Sequence, residues 1–443
     1  MRRSTIMDGN SFRADSGSSA TDLAMIQRRE RVLGPSYRLF YEDPVHLVKG
    51  EGARLWDAHG AEYLDMYNNV ASVGHAHPRV VAAVTEQALQ LNTHTRYLHE
   101  KVLDYAEQLT ATMPDGLEQA MFVCTGSEAN DLAVRMAQVH TGGTGVIVTE
   151  EAYHGNSALT SALSPALGSG NDLDGSVRVI PAPDAYRVDT DDLGAWFAAR
   201  ITEAIADLES SGHRFAAFIA DSLFSSDGVF ADPVPFLAPA IDAVRAAGGL
   251  FIADEVQPGF GRTGTSMWGF DRHGVVPDLV TLGKPMGNGM PVAAVVGTPE
   301  VFRSFADRVP YFNTFGGNPV SIAAAQAVLD IIQDDDLPGH NARVGAELIG
   351  ELNTLAASHP GIGDVRGSGL YLGIELVHDT DDLARPDGPR ALAVINALRR
   401  HHILTSVAGP HSNVLKIRPP FAFAASDIDR FIDGLDAALR ETR

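Results

Sequence analysis

The stretch Leu279-Val280-Thr281-Leu282-Gly283-Lys284-Pro285 reads as a short buried strand that ends on a lysine. Apolar and β-branched residues bounded by Gly and Pro are a strand signal. Working outward, similar runs recur at Ala120–Cys124, Val146–Thr149, Val177–Ile180, Ala216–Ala220, Leu250–Ala253 and Val292–Val296. Between them, helical spacing predicts helices near 126–140, 189–211 and 236–247. Such alternation predicts an α/β fold, a mostly parallel sheet covered by helices. Upstream, 53–66 reads as a hairpin turning at Asp57 to Gly60, and 78–91 and 99–113 carry helical spacing. Downstream, Val320–Ile332 and Ala342–Ala357 read as helices. Residues 362–376 alternate like an antiparallel strand broken by Gly367 and Gly369. A helix at 389–401, a strand around 414–417 and a helix at 426–440 close the chain. The expected division is a disordered tail over 1–22, an N-terminal segment over 23–75 packing with the small domain, a large domain over 76–316 and a smaller α+β C-terminal domain over 317–443, with the change near Gly316–Pro319.

The chain has 443 residues, with 34 basic against 56 acidic side chains and a formal charge of −22. That balance disfavours a nucleic-acid partner, which needs a basic face, and a polybasic membrane anchor. One cysteine, Cys124, excludes an internal disulfide and fits a reducing compartment. Met1-Arg2-Arg3 is not followed by an apolar segment, and no apolar run approaches the ~20 residues of a membrane span. The expectation is a cytoplasmic protein. Of the 34 basic residues only Lys49, Lys101, Lys284 and Lys416 are lysines. A chain that so prefers arginine can keep lysine where an amine is chemically required; biased codon use with four leftovers explains the count equally well.

Ligands of open parallel sheets sit beyond the carboxyl ends of the strands, so the residues that follow each run matter most. After Cys124 comes Thr125-Gly126-Ser127-Glu128-Ala129-Asn130. Thr125 and Glu128 have capping-box spacing, which places Gly126 and Ser127 at a helix N-terminus able to seat a phosphate; an ordinary capped helix has the same spacing. After Thr149 comes Tyr153-His154-Gly155, an aromatic that could stack on a planar ligand or a plain loop. After Ala253 comes Asp254-Glu255-Val256-Gln257. An acidic pair there suits an NTPase, but no lysine lies in a Gly-Lys-Ser/Thr loop, so that reading fails. After Leu282 comes Lys284, either a snorkelling strand-end lysine or a desolvated amine suited to Schiff-base chemistry. Together a phosphate seat, an aromatic, an acid and a lysine match one cofactor, pyridoxal phosphate (PLP). Lys284 would bond C4′. Asp254 would pair with the ring nitrogen and keep it protonated, making the ring an electron sink. Tyr153 and Val256 would cover its faces, and Gln257 could reach the ring hydroxyl.

From about residue 35 to 440 the sequence resembles the class III aminotransferases of the fold-type I PLP enzymes. The motifs are CTGSEAND at 124–131, AYHG at 152–155, FIADEVQPGFGRTG at 251–264, TLGKPMGNGMP at 281–291 and NTFGGNP at 313–319. The resemblance implies that 76–316 is the PLP-binding domain and that Lys284 is the cofactor lysine and proton shuttle. It implies Asp254 as the ring-nitrogen partner, Gly126 and Ser127 on the phosphate, and Tyr153 and His154 beside the ring, although His154 can also be a structural loop histidine. Thr314 would reach the cofactor of a neighbouring subunit, so the active unit would be a homodimer. His75 and His77 look like a metal pair, but in this family that segment is a loop near the entrance, and no metal is expected.

Three local features bear on the reaction. Lys416 replaces the arginine that many family members use as a carboxylate clamp, unless it is simply a half-exposed strand residue. The usual Glu-Pro after the 216–220 run is Asp221-Ser222, which puts the family's Glu–Arg gate in doubt. The segments Tyr67-Asn68-Asn69-Val70-Ala71 and Thr95-Arg96-Tyr97-Leu98-His99 resemble the branch of ethanolamine-phosphate phospho-lyases and alanine–glyoxylate aminotransferase 2-like proteins. The resemblance implies elimination of phosphate from O-phosphoethanolamine or a similar phosphorylated amine. The alternative is transfer of an amino group to pyruvate or glyoxylate, and a PLP-binding protein without turnover is a third reading. Arg96, Lys416, Arg418 and the His75/His77 loop are the candidates for holding a substrate phosphate; Arg96 can equally be a surface helix-start residue.

Overall fold

The structure, a computed structural model, describes residues 10–12, 19–378 and 385–443. Three strands, β1 (Leu47–Glu51), β2 (Arg54–Asp57) and β3 (Glu62–Asp65), form an antiparallel meander near the N-terminus. Asp57 closes the β2–β3 turn by accepting from the backbone N–H of His59 and of Ala61, each at 2.9 Å, an aspartate turn that explains the hairpin signal. The tail expected over 1–22 is corrected at its end: a helix spans Ala20–Leu33, and Ser19 caps it by accepting from Asp22 N at 3.1 Å. Ser11 forms a bridge with Phe40. The rest of that expected tail, 1–9 and 13–18, lies outside the described residues.

Seven strands build the central sheet: β4 (Gln119–Val123), β5 (Gly145–Thr149), β6 (Val177–Ile180), β7 (Phe215–Ala220), β8 (Leu250–Asp254), β9 (Leu279–Leu282) and β10 (Ala293–Gly297). Their order is β4-β10-β9-β8-β7-β5-β6, and within this sheet β10 alone runs antiparallel to its neighbours. Successive side chains of a strand face opposite ways. Phe218 and Phe251 therefore pack with Phe197 and Ile201 of the helix Leu193–Ser210. Ile219 and Ile252 pack with Ala129, Leu132 and Ala133 of the helix Gly126–Thr141. Both faces are covered, so β8 can be apolar until its last residue, Asp254, and β9 is buried throughout with Thr281 as its one polar side chain.

The last five strands are β11 (Ile362–Ser368), β12 (Tyr371–Leu376), β13 (Ile403–Leu404), β14 (Ser406–Ala408) and β15 (Val414–Ile417). Four of them make an antiparallel sheet in the order β11-β12-β15-β14, and β13 instead pairs in parallel with β3. The single interrupted strand expected over 362–376 is a hairpin. Gly369 turns it with φ of +56°, and a Cβ there would come within 2.5 Å of the Arg262 carbonyl oxygen, so the conformation and the close approach both require glycine. The helix Pro319–Asp334 follows the expected domain change yet packs on the helices Pro78–Ala88 and Glu100–Thr110, so packing is continuous across that point.

Glu375 of β12 ties the two sheets together. Fully buried, it accepts from Arg187 beyond β6 and from Asn413 Nδ2 at 3.0 Å, and it forms an ion pair with Arg366, whose Nη1 lies 2.7 Å from Oε2. Arg366 also donates to the carbonyls of Gly228 and Val229, at 2.7 and 3.1 Å, in the loop after β7. Those guanidiniums hold the carboxyl pKa low against the opposing effect of burial. Removing a buried charge strands its partners, at a cost of about 3–5 kcal/mol. Glu375→Leu should therefore lower the thermal unfolding midpoint clearly, whereas Glu51→Leu, on exposed β1, should leave it nearly unchanged.

Candidate active site

The carboxyl ends of β4, β5, β7, β8 and β9 open on a cavity of about 200 Å³. Gly126, Ser127 and Asn130 line it from the helix after β4, and Tyr153, His154 and Gly155 from the loop after β5. Asp221, Asp254, Val256, Gln257 and Lys284 complete it. A larger apolar groove, about 560 Å³, lies beside the helix Ala20–Leu33 and contains none of these side chains.

The floor of the cavity is backbone. Thr125 Oγ1 accepts from Glu128 N at 3.2 Å, and Glu128 Oε2 accepts from Cys124 N and Thr125 N at 2.7 and 3.1 Å, a full capping box. The box satisfies the outer amides, so Gly126 and Ser127 begin the helix with N–H groups that have no intrahelical acceptor. A Cβ on Gly126 would lie 3.1 Å from the methyls of Val256, and one on Gly283 would lie 3.3 Å from Gly126 Cα. These glycines keep a cradle open that side chains would fill.

Asp254, the last residue of β8, is buried, and its carboxylate is held from behind. Oδ2 accepts from His154 Nδ1 and from Asn130 Nδ2, both at 2.8 Å, and Oδ1 accepts from Val256 N at 3.1 Å. Asn130 is itself fixed, because its second N–H reaches His154 O at 2.8 Å and its carbonyl accepts from Thr281 Oγ1 at 2.6 Å. His154, expected beside a ring, thus spends its hydrogen bond on Asp254. Asn130 was not singled out in the sequence, although it lies on the buried face of its helix with Ala129, Leu132 and Ala133. A polar residue on that face was the available signal.

Lys284 begins a single helical turn after β9. It is half-buried toward the cavity and otherwise surrounded by protein. Burial and the nearby Arg418 push its pKa from 10.5 down to about 8, while Asp254 and Asp221 act the other way.

A second group of polar side chains comes from β15 and its neighbours. Lys416 and Arg418 are both buried. Arg418 Nη1 donates to Asn69 Oδ1 at 3.1 Å and to Gln257 Oε1, and its guanidinium stacks on Tyr67 with 4.2 Å to the centroid. Gln257, expected at a ring hydroxyl, has its carbonyl oxygen committed to Arg418 and to the Tyr371 hydroxyl, the latter at 3.1 Å. Lys416 is a buried strand residue, not a half-exposed one. Burial, Arg418 and Lys284 lower its pKa, and Asp221 opposes them. Arg262 of the FGRTG segment is also buried; it donates to the carbonyls of Leu370 and Pro419 and lies 4.2 Å from the Phe421 centroid. Among the described residues none of these three cations has a carboxylate oxygen within 4 Å.

Two expected residues are elsewhere. Arg96 is exposed, with its guanidinium 5.5 Å from the Phe312 centroid, and Thr314 is exposed two residues further on. Neither lines the cavity. His75 Nε2 bonds Asp65 Oδ2 at 2.7 Å, a role within the N-terminal meander.

A cavity that sets a readily deprotonated lysine opposite an anchored carboxylate, over a glycine cradle at a helix N-terminus, suits a cofactor with an aldehyde, a basic ring and a phosphate. The match to the family described as aminotransferase class-III covers residues 40–439, and the chain belongs to that family. Its cofactor is pyridoxal 5′-phosphate. An alanine–glyoxylate aminotransferase 2-like protein of Drosophila melanogaster is 42% identical over 94% of this chain and 86% of its own length. An ethanolamine-phosphate phospho-lyase homologue of Caenorhabditis elegans is 38% identical over 94% of this chain and 93% of its own. A phospholyase from Arthrobacter, solved with phosphoethanolamine, superposes with a TM-score of 0.90 at 42% identity, covering 94% of this chain and 99% of that one. No helix among the described residues is long and apolar enough to cross a membrane.

In the cofactor-free protein Lys284 should lose its proton near pH 8, so its labelling by an amine reagent should rise through that pH. Asp254→Asn removes an anion that favours the charged form and should move the midpoint lower still. Mass spectrometry of labelled peptides across a pH series checks both.

Proposed function

We propose that the protein is a phospho-lyase that eliminates phosphate from O-phosphoethanolamine or a similar phosphorylated amine; with one water taken up to hydrolyse the unsaturated amine left by elimination, the former gives acetaldehyde, ammonia and phosphate. The observation that carries this reading is the pair of buried basic side chains Lys416 and Arg418. Both interact electrostatically with Lys284, and neither has a carboxylate within 4 Å among the described residues. Burying an uncompensated charge is costly, and an anionic substrate supplies the missing partner. The names of the Caenorhabditis relative and the Arthrobacter structure support a phosphate as that anion.

Gly126 and Ser127 would hold the cofactor phosphate, Tyr153 and Val256 would flank the ring, and Asp254, braced by His154 and Asn130, would keep a negative charge at the ring nitrogen. When bound, PLP supplies the electron sink that acidifies the carbon bearing the substrate amine. Lys284, neutral in a useful fraction near physiological pH, removes that proton. Lys416 and Arg418 hold the substrate phosphate and stabilise the charge it carries away as the C–O bond breaks. Arginine offers a fork and lysine a mobile point charge.

The active unit in this proposal is a homodimer, with Thr314 reaching the neighbouring subunit's cofactor. An exposed apolar patch of Tyr97, Leu98, Phe312 and Phe315 surrounds Thr314 and Arg96 in support; Leu98 is 97% exposed. Residence in the cytoplasm belongs to the same proposal and is supported by the single cysteine. A second reading, amino transfer to pyruvate or glyoxylate, is favoured by the name of the Drosophila relative and would use the same Lys284 and Asp254.

Holoenzyme mixed with O-phosphoethanolamine and no keto acid should release phosphate over many turnovers. No release, together with turnover of alanine plus a keto acid, rejects the lyase in favour of the transferase. Lys284→Ala should abolish turnover and the absorbance of the lysine-bound cofactor. Lys416→Met and Arg418→Met should each raise KM for the phosphorylated amine by about tenfold or more, as expected on losing a charged hydrogen bond.

A further inference from the structure

Among the described residues, Arg418 reaches a carboxylate only through two neutral side chains. Its Nη1–H donates to Gln257 Oε1. Gln257 Nε2–H donates to Ser225 Oγ at 2.6 Å, and the Ser225 hydroxyl donates to Asp221 Oδ2. Arg418, Gln257 and Ser225 are buried, and Asp221 lines the cavity beside Lys284. Every donor in the chain points toward Asp221.

We propose that Ser225 is a positioning residue for the anion pocket: by linking Asp221 to Gln257 it fixes the amide that aims the Arg418 guanidinium. The proposal rests on the lyase reading above. An amide can present either its oxygen or its N–H groups, and only the oxygen can meet Arg418. A serine hydroxyl has one proton. Once that proton is given to Asp221, the oxygen can only accept, so it selects the N–H end of Gln257 and turns Oε1 toward Arg418. The Tyr371 hydroxyl adds a second donor to that oxygen.

The relay also explains why the residue on Arg418 is neutral. A carboxylate in place of Gln257 would orient the guanidinium equally well, but it would cancel the charge and repel a phosphate. Keeping the negative charge two residues away orients Arg418 while leaving it free to pair with an anion. The loop that carries Ser225 is held by Arg366 through the Gly228 and Val229 carbonyls, so the relay starts from a fixed point.

The test measures inorganic phosphate binding to the holoenzyme, by its competition with O-phosphoethanolamine and by perturbation of the cofactor absorbance. Ser225→Ala should weaken phosphate binding and raise KM by about tenfold, with kcat falling less than about threefold. Gln257→Glu should weaken phosphate binding more, and its binding should recover as pH is lowered and the new carboxyl takes up a proton. A merely structural role would not produce that pH dependence. If wild type binds phosphate and Ser225→Ala binds it equally, or if Gln257→Glu binds it as wild type does at every pH, the relay is wrong. If wild type neither binds phosphate nor releases it from O-phosphoethanolamine, the lyase reading falls and the relay with it.

Discussion

The site depends on one buried carboxylate whose hydrogen bonds all come from behind. Asp254 ends β8, where the strand stops being apolar, and His154, Asn130 and Val256 N fix its oxygens. Each anchor has its own support: Asn130 leans on Thr281 of β9, and the backbone N–H of His154 donates to Ser164 Oγ at 2.9 Å. The ends of β8 and β9, the loop after β5 and the helix after β4 are thereby tied to one charge. A helix N-terminus and a lysine can face a common cavity only because this carboxylate holds the strands that carry them.

Around that centre the protein separates two kinds of cation. Lys49 is exposed and pairs with Glu51, and Lys101 donates to Gln87 from an exposed helix position. Lys284 and Lys416 are enclosed, and both amines are pushed toward the neutral form by burial and by Arg418. In a chain of net charge −22, Lys416 and Arg418 stand without a carboxylate oxygen within 4 Å among the described residues, although Asp221 is near enough to oppose the fall in the Lys416 pKa. An anion entering the pocket would meet basic groups whose nearest hydrogen-bond partners, Asn69 and Gln257 on Arg418, are neutral.

The α/β architecture was legible because its signals are local. Each strand is a short apolar run, and the helices between them follow the 3.6-residue period. The meeting of Gly126, Ser127, Asp254 and Lys284 at one cavity was legible for the same reason: each lies at or shortly after the carboxyl end of a strand. The substrate side was less legible because its contacts are between distant segments. Asn69 and Arg418 are 349 positions apart, and Gln257 and Arg418 are 161 apart. No periodicity reports such a meeting. Arg96 could not be placed from the sequence, because an arginine at a helix start looks alike whether it faces a cavity or a surface ring. The hairpin at Gly369 was read as a broken strand because alternation does not distinguish a bulge from a reversal.

The parallel pairing of β3 with β13 has a consequence for synthesis. Leu64 and Asp65 emerge from the ribosome long before Ile403 and Leu404, their partners. At typical elongation rates that gap is on the order of half a minute. The meander leading to Tyr67 and Asn69 must therefore wait with an open strand edge, and Arg418 arrives later still. The half of the pocket built on β8 and β9 can form on the nascent chain, whereas the anion-binding half is assembled only after β15 and Arg418 have been made.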